Sequence, residues 1–383
     1  MKYIHFLIAA VLLFACTQTH TPETITDFSA LLAPAPKDGG FKIQDYWVWG
    51  GSCIKGDDGL YHLYASRWPK SVPFMQGYVF YSGIVHAVSS EPAGPYEFRD
   101  IALPVRGEEF WDGRMTHNPS ITKYGDHYYL FYIGSTYTGE SPSADSLRNI
   151  KHIYRTRAYK NIRIGVAKAS SPDGPWQRKE MPILAPQPNG FDSVVVTNPA
   201  PYIDDTGTTH LVYRTFIRGT GQRLGLARAV HPDSSFTRVL QQPIAAAKVE
   251  DPYIWKTGDR FYIVAKDMTG EITGEKHAGV FLSADSLTNW QLAEHCKAWS
   301  RTVVWSDGDT TVQGSLERPQ LLIENGLPRY LFAATADGPG GFRNADNTWN
   351  MAIPLNWENK SNHCIKVMIK ETLLSIFAMI TTD

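Results

Sequence analysis

Residues 249–265 read VEDPYIWKTGDRFYIVA. Two carboxylates beside a proline open the stretch, an apolar strand pattern follows, and Thr257-Gly258-Asp259 supplies a turn into a second run rich in Tyr, Phe, Ile and Val. That pattern predicts a β-hairpin with acids at its mouth. The unit recurs as HNPSITKYGDHYYLFYIGS from His117, TNPAPYIDDTGTTHLVYRT from Thr197 and ERPQLLIENGLPRYLFAATA from Glu317, with a degenerate copy, GGSCIKGDDGLYHLYAS, from Gly50. A lone hairpin is at best marginally stable in water, so five copies imply units that stack or close around an axis.

The first four copies are each followed by a further echo: IVHAVSSEPAGPYEF from Ile84, IGVAKASSPDGPWQR from Ile164, LGLARAVHPDSSFTR from Leu224 and AGVFLSADSLTNWQL from Ala278. Each is a small-and-branched strand, a polar turn and an aromatic residue, which predicts a hairpin into a fourth, outer strand. Four antiparallel strands per copy make a propeller blade, and the predicted fold is an all-β, five-bladed β-propeller around a central funnel. Near-continuous apolar runs at 128–133 and 261–265 fit strands buried on both faces by neighbouring blades.

The 383-residue chain carries a formal net charge of −1, with 11 Trp and 19 Tyr. Near-neutral charge argues against a general nucleic-acid or anionic-membrane binder. Residues 1–16 read as an export signal: Lys2 gives the charged start, the apolar core is too short to span a bilayer, and Leu13-Phe14-Ala15-Cys16 resembles a bacterial lipoprotein box. The expectation is therefore a periplasmic or cell-surface lipoprotein whose membrane contact runs through a lipid at Cys16. Residues 17–41 read as a flexible tether, 42–355 as the propeller, and 356–383 as a dispensable C-terminal extension. Cys53, Cys296 and Cys364 are widely spaced, which suggests neither a zinc site nor a disulfide framework.

The five hairpins, most opening on x-Pro, the E-x-P of the fourth copy, and the SPDGPW signature at 171–176 together resemble the five-bladed β-propeller glycoside hydrolases of families 43, 117 and 32. The resemblance covers roughly residues 42–355. It implies a glycosidase that hydrolyses O-glycosyl bonds of a plant or algal polysaccharide or oligosaccharide; a funnel closed by insertion loops favours exo action, and inversion is the expected stereochemistry. No cofactor is implied, although the central channel could hold a structural metal ion.

Glycoside hydrolysis needs one carboxylic acid to protonate the leaving oxygen and one carboxylate to activate water or attack the sugar. Aligning the copies on the proline puts Gly51, Asn118, Asn198, Asp251 and Arg318 in equivalent places, with Gly50, His117, Thr197, Glu250 and Glu317 one residue upstream. Glu250 matches the family 43 general acid. The charge of Asp251 beside it is expected to raise its pKa, and Glu317 is a rival acid. The family's first-blade Asp-Pro is replaced by Gly51-Ser52 and its third-blade Asp by Asn198, so the base is sought at Asp112, kept ionised by Arg114 and His117, with Asp192 or Asp45 as partner. Each of these aspartates has the alternative of capping a turn.

Trp47, Trp49, Trp68 and Trp111 offer faces for sugar rings, and Arg67, Arg114, His117, Asn118, Asn198, Arg214, Asp251 and Lys266 offer polar contacts, against the alternative of packing between blades. The insertion at 136–161 carries Lys151, His152, Arg155, Arg157 and Lys160, which makes it either a solvated loop or a lid favouring an acidic or sulfated sugar. Two other readings stay open. A phosphorylase would use Arg114, His117, Arg214 and Lys266 as an anion site, and a non-catalytic sugar-binding propeller would keep the aromatics without needing the acids.

Overall fold

A computed structural model of the chain describes residues 24–149, 158–338 and 340–357. The export signal, the centre of the basic insertion with Lys151, His152, Arg155 and Arg157, and most of the C-terminal extension lie outside the described residues.

Five antiparallel sheets follow one another along the chain. Blade one is β1 (Tyr46–Lys55), β2 (Tyr61–Pro69), β3 (Gly83–Ser89) and β4 (Glu97–Leu103). Blade two is β5 (Met115–Tyr124), β6 (His127–Ser135), β7 (Arg163–Ala169) and β8 (Gln177–Arg178). Blade three is β9 (Val196–Ile203), β10 (Thr209–Ile217), β11 (Gly221–Ala229) and β12 (Thr237–Arg238). Blade four is β13 (Val249–Thr257), β14 (Arg260–Asp267), β15 (Gly279–Ala284) and β16 (Gln291–Trp299). A small hairpin, β17 (Thr302–Val304) and β18 (Thr310–Val312), leads to blade five, which is β19 (Ser315–Glu324), β20 (Leu327–Ala336) and β21 (Thr348–Pro354). The expected five-bladed propeller is therefore the observed fold.

Apolar clusters fill the seams between blades. One joins blades two and three through Phe131, Val166, Val196 and Tyr213, and another joins blades three and four through Val212, Leu226, Ile254 and Ile263. The seam between blades five and one packs Val48, Leu63, Phe332 and Ala352. Sheets buried on both faces explain why these strands read as unbroken apolar runs.

The flexible tether expected at 17–41 is corrected over its described part. Residues 24–41 run along the outer edges of blades four and five, bridging Asp27 to His295, Leu32 to Leu355 and Phe41 to Asn350. Ile25, Phe28, Leu31, Ala35 and Phe41 are buried, and the Phe28 ring lies 5.7 Å from that of Phe281 and 5.9 Å from that of Trp255. The strap takes the place of the missing fourth strand of blade five and covers an edge that would otherwise offer unpaired amides. At the other end the fold extends past the expected limit of 355: Asn356 donates its amide to Leu31, and Trp357 donates its indole N–H to Pro328 at 2.6 Å.

Candidate functional site

Every inner strand is interrupted at the same level. The ladder skips a residue between Trp49 and Ser52, His117 and Ser120, Thr197 and Ala200, Glu250 and Tyr253, and Glu317 and Gln320. The first of the two residues in each bulge has a left-handed backbone: Gly50 (φ 53°), Asn118 (51°), Asn198 (54°), Asp251 (58°) and Arg318 (52°). Gly, Asn and Asp tolerate this region, whereas an arginine there is uncommon and marks a site held in place by its surroundings. The register also corrects the proline alignment by one residue in blade one: Gly50, and not Gly51, is the counterpart of Asn118. Trp49 accordingly shares a level with His117, Thr197, Glu250 and Glu317.

That level lines a cleft of about 380 Å³ at the end of the axis. A bulge at a strand end re-aims a side chain, and here five bulges aim five side chains at one space. Trp49, Trp68, Phe74, Tyr78 and Phe342 form an aromatic wall, while Arg214, Glu250, Asp251, Lys266, His277, Glu317 and Arg318 make a charged one. Phe74 and Tyr78 belong to a helix, α1 (Phe74–Tyr81), inserted between β2 and β3, and the Phe74 ring stacks on Phe342 at 5.1 Å.

Lys266 organises the charged wall. It pairs across the ladder with Glu250, contacts that carboxylate, lies 2.5 Å from Glu317 Oε2, and approaches Asp251 at 3.7 Å. Arg214 Nε reaches Glu250 at 3.3 Å, and its Nη1 donates to the Tyr159 hydroxyl at 2.8 Å. A polar chain crosses from blade to blade: Asn118 Nδ2 donates to Asn198 Oδ1 at 2.8 Å, and Asn198 Nδ2 donates to Asp251 Oδ1 at 2.5 Å. Arg318 is 1% exposed and, among the described residues, none of its side-chain nitrogens has a hydrogen-bond partner; Asp251 Oδ1 lies 3.8 Å from its Nη1. A Cβ on Gly50 would lie 3.4 Å from Arg318 Nε, so the guanidinium packs against the backbone where the first-blade carboxylate of the family 43 pattern is missing.

The carboxyls are driven in opposite directions. Burial pushes Glu250 up, but Lys266 and Arg214 outweigh it and hold the group down at about 2. This reverses the expectation that Asp251 would keep Glu250 protonated. Burial pushes Asp251 up to about 6, with Lys266 opposing and Glu250 adding to the rise. Glu317 is also raised, by burial first and against Lys266. Burial lowers His117 to about 3 and His277 to about 4. Both imidazoles are therefore neutral near neutral pH, and His117 Nδ1 is 2.7 Å from Ser82 Oγ.

Oxygens of Glu250, Asp251 and Glu317 lie within 4.8 Å of one another, a spacing that could suit a cation. The Lys266 ammonium already sits among these oxygens, in contact with Glu250 and Glu317 and 3.7 Å from Asp251, so these residues do not fit the channel metal that the resemblance allowed.

Of the residues singled out from the sequence, Trp49, Trp68, His117, Asn118, Asn198, Arg214, Glu250, Asp251, Lys266 and Glu317 meet in the cleft. The others do not line it. Asp112 is wholly buried inside blade two, where it accepts from Arg106 Nε at 2.8 Å, from Tyr132 OH at 2.6 Å and from Arg178 Nη1 at 3.4 Å. Asp192 repeats this in blade three with Tyr213 OH and Arg238 Nε, both at 2.7 Å. These aspartates join a second strand to an outer one, and neither is placed to act as base. Asp45 is exposed, with its carbonyl taken by the Lys70 amide, and the corrected register removes its equivalence to the other two. Trp47 donates to Val72 O, Arg67 lies over the rings of Tyr46 and Phe98, Trp111 stacks on Tyr132, and Arg114 pairs with Glu108. The sequence reading missed Phe74, Tyr78, Tyr159, His277, Phe342 and, as a site residue, Arg318. Only Arg318 carried a signal, its place in the x-Pro column.

The sequence matches no family model and no curated protein. Solved structures do match in shape. A family 117 glycoside hydrolase of the marine bacterium Zobellia galactanivorans superposes with a TM-score of 0.59 at 15% identity, over 85% of this chain and 88% of that one. The fold is that of the five-bladed glycoside-hydrolase propellers. A thermostable family 43 glycoside hydrolase superposes on this propeller with a TM-score of 0.53 at 13% identity, covering 84% of this chain and 92% of that one. The catalytic domain of a family 62 α-L-arabinofuranosidase of Coprinopsis cinerea gives 0.55 at 11%, over 86% of this propeller chain and 98% of that one. Likeness at such identity extends to the fold, and activity has to be argued from the cleft.

Proposed function

We propose that the propeller is a glycoside hydrolase acting on the terminal sugar of an oligosaccharide or polysaccharide. The observation that carries this is the pair Glu250 and Glu317, equivalent positions of adjacent blades opening on one cleft, with one carboxyl held ionised and the other pushed toward its protonated form. Two carboxyls driven apart by their surroundings are what acid and base roles require. The roles follow the electrostatics: Glu317 is the acid and Glu250 its anionic partner. Oxygens within 4.8 Å fall short of the roughly 6.5–9.5 Å that admits a water between the carboxylates of an inverting enzyme. The spacing thus supports retention, with Glu250 as nucleophile, over the inversion expected from the sequence. The aromatic wall suits the apolar face of a sugar ring, and the unbonded guanidinium of Arg318 suits its hydroxyls. On the sequence of residues 1–16 we further place the protein outside the cytoplasm, lipidated at Cys16, which the mass of the mature N-terminus tests.

A panel of oligosaccharides incubated with the full chain tests the activity, with the product anomer read by proton NMR. Release of a terminal sugar that Glu317→Gln abolishes, with the anomer retained, is the expected result. No release from any substrate, despite binding, would favour a second reading, a sugar-binding propeller. Lys266 lends weight to that reading, because one ammonium contacts both glutamates at once. Turnover only with added phosphate would indicate a phosphorylase, for which Arg114 is no longer available in the cleft.

A further inference from the structure

Away from the cleft, the seam between blades one and two buries two imidazoles. His62 on β2 is fully buried and His86 on β3 is 1% exposed, and His62 Nδ1 lies 2.9 Å from His86 Nε2. His62 Nε2 lies 3.1 and 3.2 Å from the two oxygens of Asp58, so that nitrogen carries a proton and donates it to the carboxylate. In neutral His62 the Nδ1 atom is then an acceptor, which obliges His86 to donate from Nε2. The remaining nitrogen, His86 Nδ1, is left with a bare lone pair.

That lone pair has no hydrogen-bond partner among the described residues, and it faces two carboxylates, Asp100 Oδ2 at 3.6 Å and Asp173 Oδ1 at 3.9 Å. Asp100 stands on β4 of blade one and Asp173 in the turn between β7 and β8 of blade two. The donor nearest this group of acceptors is Arg99 Nε, 3.0 Å from Asp173 Oδ1. Arg99 serves only the Asp173 end of this group; between His86 Nδ1 and Asp100 Oδ2, two facing acceptors in this tautomer, the described residues place no donor, and a cation would satisfy both. Ligand atoms 3.6–3.9 Å apart can both reach an ion at the roughly 2.0–2.2 Å usual for zinc bound by nitrogen or carboxylate oxygen.

We propose that His86 Nδ1, Asp100 and Asp173 bind a divalent transition metal ion of the zinc class, which pins blade one to blade two. Asp58 acts through His62 to fix the His86 tautomer, the carboxylate–imidazole support usual behind a metal-ligating histidine. Water completes the coordination on the open side, where Asp100 and Asp173 are partly exposed.

Zinc chloride titrated into the chelator-stripped full chain near neutral pH, followed by calorimetry and thermal denaturation, tests the site. One saturable event and a rise in Tm are expected. Asp100→Asn and Asp173→Asn, both at partly exposed side chains that the fold tolerates, should each remove the rise. Asp58→Asn should weaken zinc by about 10- to 100-fold, the usual effect of losing a supporting carboxylate. A chain with no saturable zinc heat and no Tm response overturns the proposal. So does binding that persists unchanged in the Asp100→Asn, Asp173→Asn double variant, because the ion would then sit elsewhere.

Discussion

Lys266 and Glu250 face each other across the β13–β14 ladder, and Lys266, 3% exposed, meets the carboxylate from inside the strand pair. Breaking a buried ion pair from one side leaves an uncompensated charge and costs about 3–5 kcal/mol. Lys266→Met should therefore destabilise the propeller by about 3 kcal/mol in urea denaturation. Loss of under about 1 kcal/mol would mean that water or Arg214 already screens Glu250.

The same pair sets a pH dependence. Glu250 has its folded pKa lowered to about 2 from an ordinary 4.5, so the stability it contributes is present above pH 4.5 and disappears as pH falls toward 2. The difference in unfolding free energy between the wild type and Glu250→Gln should shrink over that acidic window and stay flat above it. A difference that changed mainly between pH 6 and 8 would implicate another group.

Glu317 and Glu250 should separate kinetically. Glu317→Gln is expected to lose about 10²–10⁴-fold in kcat on substrates with poor leaving groups, the range typical of general acid catalysis, and far less on an activated aryl glycoside. Glu250→Gln should fail on both. In the wild type, kcat should fall on the alkaline side as Glu317, raised above the ordinary glutamate range, gives up its proton. Equal losses of Glu317→Gln on both substrates would end its assignment as acid.

Asp112 and Asp192 should matter for folding and little for turnover. Asp112→Asn strips the Arg106 and Arg178 guanidiniums of their shared carboxylate in a wholly buried place, with an expected cost of about 3 kcal/mol. KM and kcat, measured per folded molecule, should stay within about twofold of wild type, because uniform binding and transition-state contacts in the cleft are untouched. A drop in kcat with unchanged stability would restore Asp112 as a candidate base.

The blades were legible because each repeats one hairpin, and a repeat shows even when single strands are ambiguous. The inner ring was legible to within one residue. What hid the last step is that the bulge, and not the proline, fixes the register, and a left-handed backbone at Gly50 leaves no signal in a stretch reading Gly50-Gly51-Ser52. Asp112 and Asp192 misled for a related reason: the partners that make them structural, Tyr132 with Arg178 and Tyr213 with Arg238, are distant in sequence. Glu250 itself was found, but its charge state was judged from the adjacent Asp251, whereas Lys266, brought opposite by the hairpin, decides it. Phe74, Tyr78 and Phe342 reach the cleft from insertions that follow no blade pattern, so no alignment of copies could have supplied them.

The strap at 24–41 has a consequence for how the molecule is made. These residues leave the ribosome before any blade exists, yet their partners His295, Asn350 and Leu355 emerge near the end of synthesis. Phe28 has no pocket until blade four supplies Trp255 and Phe281, and the edge of blade five has no cover until the strap docks on residues 350–355. Ring closure thus waits on the longest sequence separation in the fold, the kind of contact whose entropy cost slows folding most. A nascent chain stalled one blade short would carry a sticky leading segment and an open seam together, and holding those two apart until the last strand arrives is the task this architecture sets a chaperone.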